Sequence, residues 1–217
     1  MHLRNWIAGV VVVWVSITGG IVFAQNVLQD AIVKAGLKME DVRAETTFYY
    51  QNPQPDKMMA VLRVLVTVKE FTSDTKRFPV ISRIFVVAAY KDKIVLEKMK
   101  LLKDSLSGDT KTIVENLIKE EQGFTSPEAD SNEHIDDLWA EFFATGQAEP
   151  IKKIMSVLGV PAENLEQKTL LSNANWSLAS NVKQHKKVYE IIKEESSNAT
   201  GLVKEMLDQM IKDADKK

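Results

Sequence analysis

The chain has 217 residues, of which 45% are hydrophobic, and it contains no cysteine. Its 28 Lys and Arg residues nearly balance 30 Asp and Glu, which gives a formal net charge of -2 at pH 7. This balance argues against nucleic acid as a partner, because domains that bind nucleic acid present a strongly basic surface. No disulfide can form, so the fold must be held by burial of apolar side chains, which this composition can supply.

The first 24 residues are organised like an export signal. A positive charge at Arg4 precedes an apolar run from Trp6 to Val15. In Val22-Phe23-Ala24, just before Gln25, the two positions that a signal peptidase reads hold a small or aliphatic residue. This order predicts a signal peptide, residues 1–24, that is cleaved after translocation. The remaining chain is then expected in a bacterial periplasm or in the medium.

The alternative for this segment is an uncleaved anchor. Residues 6–24 are 19 residues without a charge, close to the roughly 20 that cross a bilayer as a helix. In that case the protein is anchored to the inner membrane by residues 6–24, and this is its only expected contact with a membrane. The basic N-terminus stays in the cytoplasm in both cases, so the body is exported.

The body has helical periodicity and helix-boundary residues throughout. The Phe48 to Pro55 segment predicts an irregular aromatic turn, and Asp56 is expected to cap the element after it. Met58 to Phe71 is rich in β-branched residues, yet its length without a turn signal favours a helix over a strand. The predicted helical segments, in chain order, are 27–35, 58–71, 79–90, 94–102, 113–118, 132–145, 150–158, 161–185, 188–192 and 200–211.

The clearest pair of helices lies between residues 131 and 159. Ser131 or Asn132 caps the first helix and Gly146 ends it, and Pro150 starts the second, which ends at Gly159. A short connection makes such helices antiparallel neighbours. We therefore predict an all-α fold of stacked antiparallel αα-hairpins, a repeat-like helical array or short α-solenoid.

A single domain, residues 25–217, is expected, with an exposed loop at 124–133 where Pro127 lies among Ser, Asp and Glu residues. The break at Ser107-Gly108-Asp109 separates two further helices, with Asp109 or Thr110 as the expected cap.

Three segments resemble those of uncharacterised bacterial exported helical proteins of tetratricopeptide-like type. They are Phe48 to Pro55, Asp137 to Gly146 and Asn175 to Asn181. The resemblance implies a bacterial envelope and a helical fold. It implies no activity and no site residue, since the shared residues are packing residues.

Catalytic chemistry has no recognisable motif in the sequence. Glu133, His134 and Asp137 share one side of a predicted helix, but a metal site needs a further ligand, and Asp137 also suits a first-turn position. No nucleophile elbow and no glycine-rich phosphate loop is present. We expect no enzyme activity, no catalytic residue, no metal and no cofactor.

Two features could mark a binding surface. Residues 169–182 carry no charge, and their polar side chains fall on one helical face, with Trp176 between this face and the opposite apolar one. The C-terminal helix has a narrow apolar stripe. The alternative for both features is packing inside the fold. The candidate partner-binding residues are Asn173, Trp176, Ser177, Asn181, Gln184, Leu202, Met206 and Met210.

Together these patterns favour an exported, non-catalytic module for protein-protein interaction or scaffolding in a bacterial envelope. The expected partner is a protein. Two alternatives remain open: an exported accessory or inhibitor protein that binds a single partner, and an envelope hydrolase with dispersed catalytic residues.

Overall fold

The computed structural model describes residues 21–74 and 77–216, and all regular elements within these ranges are helical. The helices are α1 (Ile21–Lys34), α2 (Met39–Thr47), α3 (Pro55–Thr67), α4 (Lys69–Thr72), α5 (Arg77–Lys91), α6 (Lys93–Asp104), α7 (Gly108–Gln122), α8 (Asn132–Thr145), α9 (Glu149–Ser156), α10 (Leu165–Asn181), α11 (Lys186–Asn198) and α12 (Gly201–Ala214). Short 3-10 helices occupy Tyr49–Gln51 and Val157–Gly159. The all-α prediction is confirmed.

Several boundaries lie where the sequence predicts them. Pro79 is in the first turn of α5, and the carboxylate of Asp92 accepts the Ile94 amide at 2.8 Å to cap α6. Ser131 Oγ accepts the His134 amide at 3.1 Å at the start of α8. Gly146 ends α8 in the left-handed region, at φ 64°, where a side chain would be strained.

Other boundaries differ from the prediction. The helix expected over 58–71 is divided at Val68, whose extended backbone separates α3 from α4. The helix expected over 161–185 is shorter, because Asn164 and Gln167 form a capping box that fixes its start. Its C-terminal end is at Asn181, and His185 precedes α11.

Local details around residues 39–56 and 107–110 also differ. The segment expected to be irregular contains the Tyr49–Gln51 3-10 helix, and Pro55 is the first residue of α3, so Asp56 lies in the first turn and is not the cap. Ser107, not Asp109 or Thr110, is the residue before α7. The sequence analysis missed α2 because Met39–Thr47 is mostly polar.

The described residues divide into two compact units. Unit 1 is residues 21–74 and 77–125 together with 143–145, and unit 2 is residues 126–142 together with 146–216. The division falls in the loop expected at 124–133, where Phe124 is buried and the following residues are exposed or half-buried. The single domain over 25–217 stays a prediction.

Unit 1 is built around α3, which packs on α1, α2, α4, α6 and α7, while α5 packs on α6 and α7. Its core contains Met58, Leu62, Phe85, Val95 and Met99, all fully buried. Because α3 contacts helices that are distant in sequence, unit 1 is not a simple series of sequential hairpins. The repeat-like array is not confirmed and stays a prediction.

Unit 2 contains a close hairpin formed by α11 and α12. The α10 helix packs on α9 and on the Val157–Gly159 turn, and α12 contacts this turn as well. Trp139 and Phe142 meet edge to face at 6.0 Å between ring centroids. Trp139, Phe142 and Phe143 are each buried, so the expectation that these side chains lie in the core is confirmed.

The signal peptide prediction concerns residues 1–24, and residues 1–20 lie outside the described part of the chain. The predicted cleavage position, Ala24 to Gln25, falls within α1. Within residues 21–74 and 77–216, no helix combines the length and the apolar character needed to span a bilayer.

The carboxyl group of Glu45 is buried in unit 1. Glu45 on α2 is 1% exposed, and the hydroxyl of Tyr49 is also buried. Burial raises the pKa of Tyr49, with smaller contributions from the charges of Asp92 and Glu45. Burial raises the pKa of Glu45 from 4.5 to about 7, against the attraction of Lys57 and with a small addition from Asp41. Within the described residues, Glu45 Oε2 and the Tyr49 hydroxyl have no hydrogen-bond partner.

The burial of Glu45 predicts that the free energy of unfolding depends on pH. Between pH 4.5 and 7 the folded state keeps a proton on Glu45 that the unfolded state releases, so stability falls as the pH rises through this window. Glu45→Gln removes the ionisation, so its free energy of unfolding relative to the wild type should rise by about 3 kcal/mol between pH 4.5 and pH 8.

Urea unfolding at a series of pH values measures this change. Glu40→Gln is the matched control, because Glu40 is an exposed glutamate on the same helix. A difference between Glu45→Gln and the wild type that does not change with pH would contradict the account of Glu45.

Candidate interaction surface on unit 2

The helix α10 has an unusual distribution of side chains. Its inner side buries Ala174, Leu178 and Asn181, as expected for a helix that packs on a core. Its outer side exposes two large apolar residues, Leu165 at 81% and Trp176 at 41%, where surface helices normally carry charges. Both sides of α10 are therefore largely uncharged.

A partly open groove lies along one edge of α10. Its volume is about 260 Å³, and apolar side chains make most of its wall. Residues from the loop before α8, from the segment after α9 and from α10 contribute to it: Ala129, Asp130, Val157, Val160, Pro161, Gln167, Leu170 and Leu171. Among these, Val160 is 52% exposed, so the groove presents apolar surface to solvent.

Local interactions hold the groove's walls in place. The amide of Gln167 donates to Asn164 Oδ1 at 2.9 Å and the amide of Asn164 donates to Gln167 Oε1 at 3.2 Å, which fixes the first turn of α10. On the opposite wall, Lys153 Nζ donates to the Pro127 carbonyl and pairs with Glu128, each at 2.9 Å. The loop before α8 is thereby tied to α9.

The two sequence segments that border the groove are acidic. Residues 126–135 and 160–171 carry the five carboxylates of Glu128, Asp130, Glu133, Glu163 and Glu166, against Lys168 in the same segments and Lys153 of α9, which pairs with Glu128. Asp130 is exposed at the groove, and its Oδ1 accepts a hydrogen bond from His134 Nδ1 at 2.5 Å. An apolar floor with an acidic border is complementary to a cationic, partly apolar ligand.

The candidate residues predicted on α10 lie at different depths. Asn173 is exposed and donates from Nδ2 to Asn132 Oδ1 at 2.8 Å, and Trp176 is exposed next to it. Ser177 is half-buried, with its hydroxyl bonded to the Ala174 carbonyl. Asn181 is 2% exposed, so it is not on a surface.

Gln184 follows α10 and is half-buried. Its Nε2 lies 3.4 Å from both the hydroxyl and the carbonyl oxygen of Ser180, so it is tied to the end of the same helix. The polar stripe predicted on α10 therefore turns from the surface into the fold along its length.

The candidate residues on the C-terminal helix are divided in the same way. Leu202 is 66% exposed and Met206 is half-buried, whereas Met210 is 4% exposed. The α12 helix docks on α11, where Asp208 accepts a hydrogen bond from Ser196 and pairs with Lys204 at 3.1 Å. Most of the predicted apolar stripe is used in this docking, and Leu202 remains outside it.

The groove residues were not among the sequence-based candidates. Val160, Leu170 and Leu171 look like ordinary helix and loop residues, and only the structure shows that they are left partly exposed. The available signal was the Asn164 to Gln167 capping spacing, which places Gln167 in the first turn, before the buried stripe of α10 begins.

No group of three or more His, Asp and Glu side chains in the described residues is arranged to hold a metal ion. His134, which shares a helix face with Asp137 in sequence, instead contacts Asp130.

Comparisons with protein-family models, with curated proteins and with solved structures found no match to this chain. The resemblance to exported helical proteins stays a prediction, and the functional argument depends on the surface of unit 2.

Proposed function

We propose that this protein is an exported, non-catalytic interaction module, and that its groove on unit 2 holds a cationic amphipathic segment of a partner protein. The observation that carries the proposal is the apolar groove with an acidic border. Val160 exposes half of its surface there, although burial of such an apolar side chain would stabilise the protein.

The size of the groove favours a peptide segment over a small molecule. Small-molecule sites have volumes of roughly 300–1,000 Å³ and enclose most of their ligand. This groove is smaller, about 260 Å³, and is partly open to solvent. A helix or extended segment can place alternate apolar side chains on such a floor while its basic side chains reach the border. The acidic border would then speed association and select against acidic segments.

The proposed location is the periplasm or the extracellular medium, and it depends on the N-terminal segment. The basic start, the apolar run and the residues before Gln25 support export, with the membrane anchor formed by residues 6–24 as the alternative. A module that acts outside the cytoplasm without disulfides must be stable through packing alone, and the extensive apolar core is consistent with this requirement.

The groove predicts selective binding of a basic probe. The probe is a synthetic amphipathic peptide of leucine and lysine, and its comparison is the same peptide with every lysine replaced by glutamate. Calorimetry should detect the lysine peptide alone, with an affinity that falls as salt is added. Val160→Lys, which puts a cation on the floor, should weaken binding at least tenfold, about 1.4 kcal/mol.

Leu101→Lys is the matched control for Val160→Lys. Leu101 is 69% exposed in unit 1, so the change adds the same charge at a similarly exposed apolar residue outside the groove. Equal binding of both peptides, or equal affinity of the two variants, would rule out the groove as the binding site.

Export predicts a defined N-terminus. Mass spectrometry of the protein expressed in a bacterium should find a chain that starts at Gln25 in the periplasm or the medium. Recovery of the full chain in the inner membrane would support the anchor, and recovery of the full chain in the cytosol would contradict export.

A further inference from the structure

The outer side of α10 carries a second surface, which we name the neutral face. It consists of Leu165, Thr169, Ser172 and Trp176, all of them exposed. Their spacing of four, three and four residues places them in one line on the helix, as the a and d positions of a coiled coil are placed. The groove is lined by Leu170 and Leu171, which point to the other sides of α10.

The Thr169 hydroxyl of the neutral face already has a hydrogen bond within the helix. The hydroxyl of Thr169 donates to the Leu165 carbonyl at 2.9 Å, so the threonine can present its methyl group outward. Serine and threonine hydroxyls both donate and accept hydrogen bonds, so they can pair with identical groups. Charges on α10 are confined to Glu166 and Lys168, which lie to either side of the line.

From this neutrality we infer that the neutral face pairs with the neutral face of a second copy of the chain. In a two-fold contact the same patch meets itself, so any charge within it meets a like charge. The neutral face escapes this repulsion, and it has no charge that would select a differently charged partner. The surface therefore fits a second copy better than it fits a charged protein.

The order of side-chain sizes fits an antiparallel pair of α10 helices. With the two-fold axis between Thr169 and Ser172, Leu165 of one copy lies against Trp176 of the other at both ends. The small residues meet at the centre, where they allow the helices to approach closely. Glu166 and Lys168 then lie opposite asparagines of the second copy, so no like charges are brought together.

The dimer should be weak. The 17 residues of α10 span about 25 Å at a rise of about 1.5 Å per residue. One face of such a helix buries much less than the roughly 1,600 Å² of a standard protein-protein interface. We expect dissociation upon dilution through the micromolar range.

Analytical ultracentrifugation of the full chain tests the pairing. The wild type should shift from monomer to dimer as its concentration rises. Ser172→Glu and Ser172→Lys each place like charges near the two-fold axis and should both remain monomeric at concentrations where the wild type is dimeric. An equal mixture of these two variants should recover the dimer, because opposite charges then face each other.

Leu101→Glu is the control, since it adds a carboxylate at an exposed apolar residue away from the neutral face, and it should dimerise like the wild type. Circular dichroism of each variant checks that the fold is unchanged. A wild type that is monomeric throughout, a dimer that is indifferent to Ser172→Glu, or a mixture that stays monomeric would overturn the inference. None of these results depends on whether the groove binds the cationic peptide.

Discussion

Burial of apolar side chains on one side of each helix is the interaction on which this structure depends. The chain has no cysteine, so no disulfide limits the conformations of the unfolded state. The main contribution that stabilises the folded state is then the removal of apolar surface from water. Side chains such as Phe85, Leu138 and Ile154 are completely enclosed. The α10 helix has apolar and uncharged residues on its other side too, and there Leu165 and Trp176 are exposed.

The polar exceptions in the core are also informative. Glu45 and the Tyr49 hydroxyl are buried near each other in unit 1, and Asn181 is buried in unit 2 with its Oδ1 unpaired among the described residues. Such groups cost free energy, because they give up hydrogen bonds to water. Unit 1 reduces this cost by keeping Glu45 protonated up to about pH 7, whereas Asn181 retains one bond, from its Nδ2 to the Ser177 carbonyl at 3.0 Å.

The helical class and many boundaries could be predicted from the sequence, because they depend on local chemistry. Ser131, Gly146 and Asp92 act on the backbone of their own turn, so their effect is visible in a few residues. The break at Val68 and the polar helix α2 were missed, since contacts with other helices decide them. Tertiary contacts also decide exposure. For this reason Val160, which is exposed, was not predicted as a candidate, and of the predicted candidates Trp176 is exposed whereas Asn181 and Met210 are buried.

The central claim is that α10 uses its outer side for contacts beyond the chain. Hydrogen-deuterium exchange over residues 165–181, measured at increasing protein concentration, tests it most directly. The account predicts that exchange in α10 slows as the concentration rises, while α6, which exposes Ile94 and Leu101 beside charged residues, exchanges at a constant rate. Exchange in α10 that is independent of concentration, or that changes equally in α6, would contradict the claim.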